Sequence, residues 1–326
     1  MTRTADRLSK AEAELIKHNL LIRVARLYYL CRMTHQEIAA REGVSRIKVT
    51  RLLKEAVDEN IVEFNIKDPV VRNFEMEDAL ESRFGLKTVI ITPAPSVQCT
   101  IFEILGRFAA DFLTRRLANN LNIGIGWGRT LNGMLPYLDR TSAKGVKVIS
   151  LTGGLAANER QPNPYDVASA MAGRLRATPH YPIVPAIVES ELAKNLLINE
   201  SNVRDSIRLW SKIDIALMSI GVISPETGVY YSFPDPVTEA QHVRSLGAVG
   251  DLLAMPYDIE GRFLQVDFLN RMILIELENL RRIPIVAGIA GGKHKVQAIL
   301  GALRTGCLNT LITDEDTAVR VLKASK

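Results

Sequence analysis

Cysteine is scarce in this chain of 326 residues, and the three that it has, Cys31, Cys99 and Cys307, lie far apart. An odd number at such spacings rules out a disulfide framework and a C-x-x-C zinc pair. We therefore expect a reducing, cytoplasmic setting in which each thiol serves as a small buried hydrophobic group. The five histidines have no metal-ligand spacing either, so the sequence predicts no metal site.

Long hydrophobic runs and complete nucleotide motifs are lacking as well. No uncharged apolar stretch approaches the roughly 20 residues of a membrane helix, and the charged first 17 residues have no signal-peptide core. Residues 124–130 read G-x-G-x-G-Arg, and Gly292-Lys293 is followed by His294 rather than Ser or Thr, so NAD and ATP are disfavoured. We expect a soluble protein without membrane contact and without a cofactor.

Residues 34–55 have the pattern of a helix-turn-helix. Thr34 and Glu37 fit a capping box at the start of a first helix, and Gly43 suits a left-handed turn after it. Ser45 can cap a second helix that separates an apolar face from a basic, hydroxyl-bearing one, as a recognition helix in the major groove requires. The residues predicted to contact DNA are Thr34, Gln36, Ser45, Arg46, Ile47, Lys48, Thr50, Arg51 and Lys54.

A helical hairpin with a merely solvated charged face would produce the same pattern, but the distribution of charge favours DNA. Residues 1–67 hold 13 Lys and Arg against 9 Asp and Glu, whereas the rest of the chain holds 28 against 27. The first fifth thus carries +4 of the total +5, as expected of a nucleic-acid-binding head. Aromatic platforms for single strands are not evident there, so duplex DNA is the predicted partner.

Beyond this head the pattern changes. Residues 61–66 alternate like the short strand of a wing, and Asp68-Pro69 ends regular structure. Apolar strands then alternate with amphipathic helices, which indicates a doubly wound, mostly parallel α/β sheet. We predict a small, all-α, winged helix-turn-helix domain at 1–68, a connector at 69–86 and an α/β domain at 87–326. The predicted strands are 87–92, 121–125, 147–151, 213–220, 285–289 and 308–313, and the predicted helices are 73–84, 101–120, 165–175, 295–304 and 314–323.

Three glycine-containing loops, at residues 124–130, 152–154 and 291–295, each follow a predicted strand. In a parallel sheet the carboxyl ends of the strands meet at one edge, where ligands bind. Small residues let backbone amides approach an anion. One such loop is often only a turn, but three at one edge favour a site for a small phosphorylated molecule. Asp251 either accepts bonds from sugar hydroxyls or caps a turn, and Trp127 either packs in the core or forms a pocket wall.

Together these stretches resemble the SorC/DeoR-type sugar-binding transcriptional regulators. The resembling segments, in family order, are RVARLYYL (23–30), the helix-turn-helix and following strand (34–66), GIGWGRT (124–130), LTGGL (151–155), GVISPETG (221–228), VGDLLAMPYDIEGR (249–262) and the segment 281–318. The resemblance implies that residues 87–326 form an effector-binding and oligomerisation domain like the sugar-phosphate isomerases. It also implies a homodimer or homotetramer that represses a sugar- or polyol-utilisation operon under control of a phosphorylated sugar or polyol.

The resemblance also implies which residues bind the effector. They are Gly126, Gly128, Arg129, Thr130, Thr152, Gly153, Gly154, Asp251, Leu253, Lys293 and Lys295. Lys295 would hold the phosphate, while Asp251 and Leu253 would face the sugar. The α/β domain alone leaves an alternative, a sugar-phosphate isomerase or deaminase with a helical head, because fold does not fix function. No general base can be identified in the sequence, so we do not expect an enzyme.

Overall fold

The computed structural model describes residues 16–62, 73–96, 99–155, 162–226 and 228–325. The chain divides into two compact units, Met1–Pro69 and Val70–Lys326. The strand predicted at residues 61–66 lies outside the described residues except for its first two, which form a bend. No helix in the described part is long and apolar enough to cross a membrane.

The described part of the first unit has three helices, and local polar groups cap the starts of the second and third. The helices are α1 (residues 16–25, continued by a π-helical turn at Arg26–Leu30), α2 (His35–Glu42) and α3 (Arg46–Asp58). The Glu37 N–H donates to the Thr34 hydroxyl at 3.3 Å, and the Thr34 N–H donates to the Glu37 carboxylate at 2.8 Å. Gly43 ends α2 at a φ of 64°, and Ser45 caps α3. Because glycine enters this left-handed region without steric cost, the predicted turn forms.

A small hydrophobic core joins the three helices. Its buried side chains are Leu21, Val24, Ala25, Leu27, Ile38, Val49, Leu52, Leu53 and Ala56. Burying one large aliphatic side chain contributes roughly 1.5–3 kcal/mol, whereas the exposed ion pair of Lys17 with Glu55 contributes little. The inner face of α3 supplies four of these core residues. The packing of this inner face therefore determines which residues of α3 are exposed on its outer face.

The second unit is built on a parallel sheet. Its strands are β1 (Thr88–Thr92), β2 (Asn122–Ile125), β3 (Lys147–Ser150), β4 (Thr178–His180), β5 (Ile215–Gly221), β8 (Ile285–Ile289) and β9 (Thr310–Asp314). They lie in the order β1-β9-β8-β5-β2-β3-β4, and every neighbouring pair is parallel. An antiparallel hairpin of β6 (Ala248–Leu252) and β7 (Met255–Asp258) pairs with the end of β5.

Helices cover both faces of this sheet. They are α4 (Phe74–Phe84), α5 (Ile101–Thr114), α6 (Arg129–Asn132), α7 (Pro164–Leu175), α8 (Glu191–Asn199), α9 (Ser201–Ile207), α10 (Pro236–Ser245), α11 (Leu277–Arg282), α12 (Val296–Arg304) and α13 (Glu315–Ala324). Ile215 and Leu217 of β5 pack in one core with α5 and α7, whereas Ala216 and Met218 pack in the other with α4, α12 and α13. Because successive side chains of a strand point to opposite faces of the sheet, this alternation shows that both faces of the sheet are buried. The predicted doubly wound α/β fold is confirmed.

Most predicted elements differ from the observed ones by one or two residues, but several features were not predicted correctly, and the helices α8, α9, α10 and α11 were not predicted at all. The helix expected at 101–120 ends at Thr114, and the chain turns until Asn120, which adopts a left-handed φ of 61°. The strand β4 was missed because it has only three residues and contains a proline. Cys307 is buried as expected, but Cys31 is exposed, so the prediction that every thiol is buried was wrong.

The β6–β7 hairpin was also missed. Its two-residue turn consists of Leu253 and Ala254, at φ values of 52° and 68°. A turn of this kind ordinarily carries Asn or Gly, since both of its central residues need a positive φ. A side chain in the left-handed region costs roughly 1–2 kcal/mol per residue. The sequence therefore contains no hairpin signal, and the structure places a strained turn there.

Candidate functional site

The outer face of α3 presents the residues predicted to contact DNA. Arg46, Ile47, Lys48, Thr50, Arg51 and Lys54 are all exposed. None of the four cations is ion-paired within the described residues of this unit. An unpaired cationic face with an exposed hydroxyl and an exposed isoleucine can meet both phosphates and base edges.

The other three predicted contacts lie at helix starts. Gln36 is exposed in the first turn of α2. The hydroxyls of Thr34 and Ser45 accept backbone N–H groups as caps, and the Thr34 hydroxyl also donates to Glu37 at 2.8 Å. These two hydroxyls therefore have structural roles whether or not they also touch DNA.

A cleft opens in the second unit where the order of the strands reverses. The chain runs from β2 outward through β3 and β4, and then returns to place β5 on the other side of β2. Ligands of open α/β sheets bind beyond the carboxyl ends of the strands at such a point. The cleft encloses about 620 Å³ of space, the open solvent at its mouth included.

Six of the residues predicted to bind an effector line this cleft. They are Gly128, Arg129, Thr130, Asp251, Leu253 and Lys295. Gly126 lies behind the lining, where a Cβ would come within 2.9 Å of the Leu253 side chain. Lys293 is exposed and lies outside the lining, although Lys295 follows it in the same short 3-10 turn.

Thr152, Gly153 and Gly154 do not line the cleft. The Gly153 N–H donates to the Ile273 carbonyl at 2.9 Å, and the Thr152 hydroxyl donates to the same carbonyl at 3.1 Å. A Cβ on Gly153 would lie 2.7 Å from the Pro185 carbonyl oxygen. A Cβ on Gly154 would lie 2.9 Å from the Tyr165 ring. Close packing against a backbone segment and an aromatic ring thus accounts for the two glycines of this loop.

Lys295 brings a positive charge to the cleft. Its ammonium donates to the Ile220 carbonyl at 2.7 Å, at the carboxyl end of β5. Burial lowers the pKa of Lys295 to about 8, although the carboxylate of Asp251 opposes the shift. Arg129 is exposed at the mouth with its guanidinium 4.7 Å from the centre of the Phe102 ring. The pKa of His294 is lowered by burial and by the charges of Lys295 and Arg129.

Asp251 brings a negative charge to the same cleft. It is 5% exposed, and burial raises its pKa to about 6, although the hydrogen bond from the Ala254 N–H and the charge of Lys295 both lower the pKa. Its Oδ1 accepts that N–H at 3.1 Å, whereas its Oδ2 is buried and bonded by no described residue. Asp251 and Lys295 form no ion pair within 4.0 Å in the described chain. The sequence predicted that Asp251 either contacts a ligand or caps a turn. Its Oδ1 caps the turn, and its Oδ2 is available to a ligand.

Several lining residues were not predicted. They are Phe102, Ser219, Ile220, Gly221, Val222, Gly228 and His294. A Cβ on Gly221 would overlap the Asp251 carboxyl group, so glycine is required there. Gly221, Val222 and Gly228 lie in the resembling segment 221–228, and His294 lies in the predicted loop 291–295. Trp127 is 7% exposed and also lines the cleft, so it is both core and wall.

The arrangement can bind an anion beside hydroxyl groups, because a cation and an unpaired carboxylate share one partly closed cleft. The described residues contain no cluster of His, Cys, Asp and Glu able to hold a metal ion.

Comparison with known proteins agrees with this chemistry. The model of the sugar-binding domain family matches residues 68–323. The erythritol catabolism regulatory protein EryD of Brucella abortus is 29% identical, over 92% of this chain and 95% of that protein. The sorbitol operon regulator of Klebsiella pneumoniae is 27% identical, over 93% and 98%. The crystal structure of the full-length regulator SorC from Klebsiella pneumoniae aligns with a TM-score of 0.69 and the same coverage.

These matches define the class of protein as a transcriptional regulator with a sugar-binding domain. The chain belongs to the sugar-binding domain family and, within it, to the SorC/DeoR-type regulators.

Proposed function

We propose that this regulator represses a sugar- or polyol-utilisation operon by binding operator DNA through α3, and that a phosphorylated sugar or polyol in the cleft changes its affinity for the operator. The observation that carries the proposal is that the partly buried Lys295 ammonium and the unpaired Asp251 oxygen line the same cleft. The names of two relatives, for erythritol catabolism and for a sorbitol operon, support a polyol or its phosphate.

The charges of the cleft orient such a ligand. A phosphate is attracted by Lys295 and Arg129 and repelled by the Asp251 carboxylate. Hydroxyl groups, in contrast, can donate to a carboxylate, which accepts several hydrogen bonds when it is ionised. The phosphate therefore lies towards the two cations and the hydroxyl-bearing carbons lie towards Asp251.

Operator recognition is proposed to need two copies of the chain, as a homodimer or within a homotetramer. Paired recognition helices of such regulators enter successive major grooves about 34 Å apart. The effector changes operator affinity if it favours one arrangement of the copies, and natural coupling of this kind amounts to about 1–3 kcal/mol.

One observation favours a second function. A buried carboxyl group with a pKa of about 6 has the properties of a general base, as a sugar-phosphate isomerase or deaminase would need. We propose that the chain is not an enzyme, because the relatives compared above are regulators. Turnover of ketose or aldose phosphates by the purified protein would contradict this.

The test of the proposed function is fluorescence-anisotropy binding to the DNA upstream of the protein's own gene, at fixed salt, with a panel of compounds. The panel holds erythritol 4-phosphate, sorbitol 6-phosphate, ribose 5-phosphate and their unphosphorylated parents. We expect one phosphate ester to weaken operator binding several-fold while its parent does not. DNA binding that no phosphate ester changes would contradict the effector class, and the absence of sequence-specific binding would contradict the regulator mechanism.

The pKa of Lys295 predicts how effector binding depends on pH. A phosphate beside the ammonium favours its charged form and raises its pKa above about 8. Affinity is therefore highest below pH 8 and falls as the pH rises through 8, and binding at pH 8 takes up protons. Titration calorimetry at pH 8 in buffers of different ionisation enthalpy measures this uptake. Equal heats in all buffers would contradict a phosphate next to Lys295, and Lys295→Met should abolish the uptake.

A further inference from the structure

One wall of the cleft contains two buried oxygens that no described residue bonds. They are the Ser219 Oγ and the Asp251 Oδ2, and both residues line the cleft. Buried polar atoms in native proteins almost always have a partner, because an unpaired one retains the full cost of its desolvation. Two unpaired oxygens on the same wall indicate that a bound molecule supplies the missing hydrogen bonds.

The backbone of β5 places the side chain of Ser219 and the carboxyl group of Asp251 on the same face of the strand. Ser219 and Gly221 project from the same face of the strand, because alternate residues share a face. Since Gly221 has no side chain, the Asp251 carboxyl group lies where a Cβ at this position would be. The two groups are thus neighbours at a spacing of two strand residues, roughly 7 Å. Two adjacent hydroxyl groups of a ligand, each with a hydrogen bond of about 2.8 Å, span such a distance.

The chemistry of the two groups selects hydroxyls over other ligand atoms. An ionised carboxylate only accepts hydrogen bonds, whereas a serine hydroxyl donates and accepts. A diol satisfies both, because one hydroxyl donates to Asp251 and its neighbour bonds Ser219. The apolar side chains of Leu253 and Trp127 also line the cleft and suit the C–H groups of a carbon chain.

We propose that Ser219 and the free oxygen of Asp251 form a diol-recognition subsite, which makes Ser219 a specificity-determining residue for the effector. The position of the diol relative to the phosphate rests on the proposed function. The carbonyl of Ile220, between Ser219 and Gly221, accepts the Lys295 ammonium at 2.7 Å. The diol therefore lies within a few carbon atoms of the phosphate, and the ligand class is a short polyol or sugar monophosphate with vicinal hydroxyls.

The test compares the wild-type protein with Ser219→Ala in titration calorimetry. The probes are erythritol 4-phosphate, sorbitol 6-phosphate, free erythritol, free sorbitol and methyl phosphate, a monoester without hydroxyls. Because Ser219→Ala removes one hydrogen bond, the affinity for the polyol phosphates should fall about three- to thirtyfold. The affinity for methyl phosphate should not change. The melting temperature of the free protein should not fall, because the variant removes an unpaired buried hydroxyl. Thr313→Val, which removes another unpaired buried hydroxyl outside the cleft lining, is the control and should change no affinity.

The outcomes separate this proposal from the proposed function. Unchanged affinity of Ser219→Ala for the polyol phosphates, or an equal loss for methyl phosphate, would overturn the subsite while leaving the phosphate site in place. Wild-type protein could instead bind the free polyols but none of the phosphate esters, with weaker polyol binding in Ser219→Ala. This result would support the subsite and contradict a phosphorylated effector. Failure of all five probes to bind would overturn both.

Discussion

Replacing Lys295 with methionine is expected to leave operator binding intact and to remove the response to a phosphorylated effector. The ammonium is a cation of the cleft held away from water, and its loss removes a charge-assisted hydrogen bond worth about 1.5–3 kcal/mol. Effector affinity should therefore fall by roughly 10- to 150-fold. Methionine has a similar length and needs no hydrogen-bond partner, so the variant should fold. Anisotropy with labelled operator, titrated with each phosphate ester, measures both properties.

Lys293→Met is the matched control for this experiment. Lys293 carries the same charge two residues earlier, but it is exposed and lies outside the cleft lining. Its replacement should leave the effector response unchanged. A full response in Lys295→Met, or an equal loss in both variants, would show that the phosphate is held elsewhere.

Replacing Arg51 with alanine is expected to weaken operator binding without changing effector binding. Arg51 is exposed on the outer face of α3, and the buried face beneath it is formed by other residues. Alanine keeps the helix, since its helix propensity is the highest. Loss of a base or phosphate contact costs about 1–3 kcal/mol, so the operator dissociation constant should rise by roughly 5- to 150-fold.

The salt dependence of binding identifies which kind of contact is lost. If Arg51 meets a phosphate, the slope of log affinity against log salt should become about one unit shallower for each Arg51 removed. If it reads a base, discrimination between operator and unrelated DNA should fall instead. Arg107→Ala removes the same charge from an exposed position in the second unit and serves as the control. Wild-type operator affinity in Arg51→Ala would refute the assignment of the outer face.

Features that depend on neighbouring residues could be predicted from the sequence. The capping box of Thr34 and Glu37 forms with the bonds that the pattern implies, because a helix start needs partners only three residues away. Arg129 and Lys295 reach the cleft because each follows a strand whose carboxyl end lies at the ligand edge. The alternation of apolar strands and amphipathic helices was sufficient to predict the α/β fold.

Features that depend on distant residues could not be predicted. Gly153 and Gly128 look alike in sequence, yet the first is required by the Pro185 backbone and the second lines the cleft. Ser219 becomes a candidate contact only because the β6–β7 hairpin brings Asp251 beside β5. No local pattern carries that information, since it depends on which strands pair.

The left-handed turn at Leu253 and Ala254 places backbone strain next to the cleft. Two such residues cost roughly 2–4 kcal/mol together, and Leu253 itself lines the cleft. Asp251 stabilises this turn, because its Oδ1 accepts the Ala254 N–H, while its Oδ2 is bonded by no described residue. The stability of the hairpin and the chemistry of the cleft therefore depend on the same side chain.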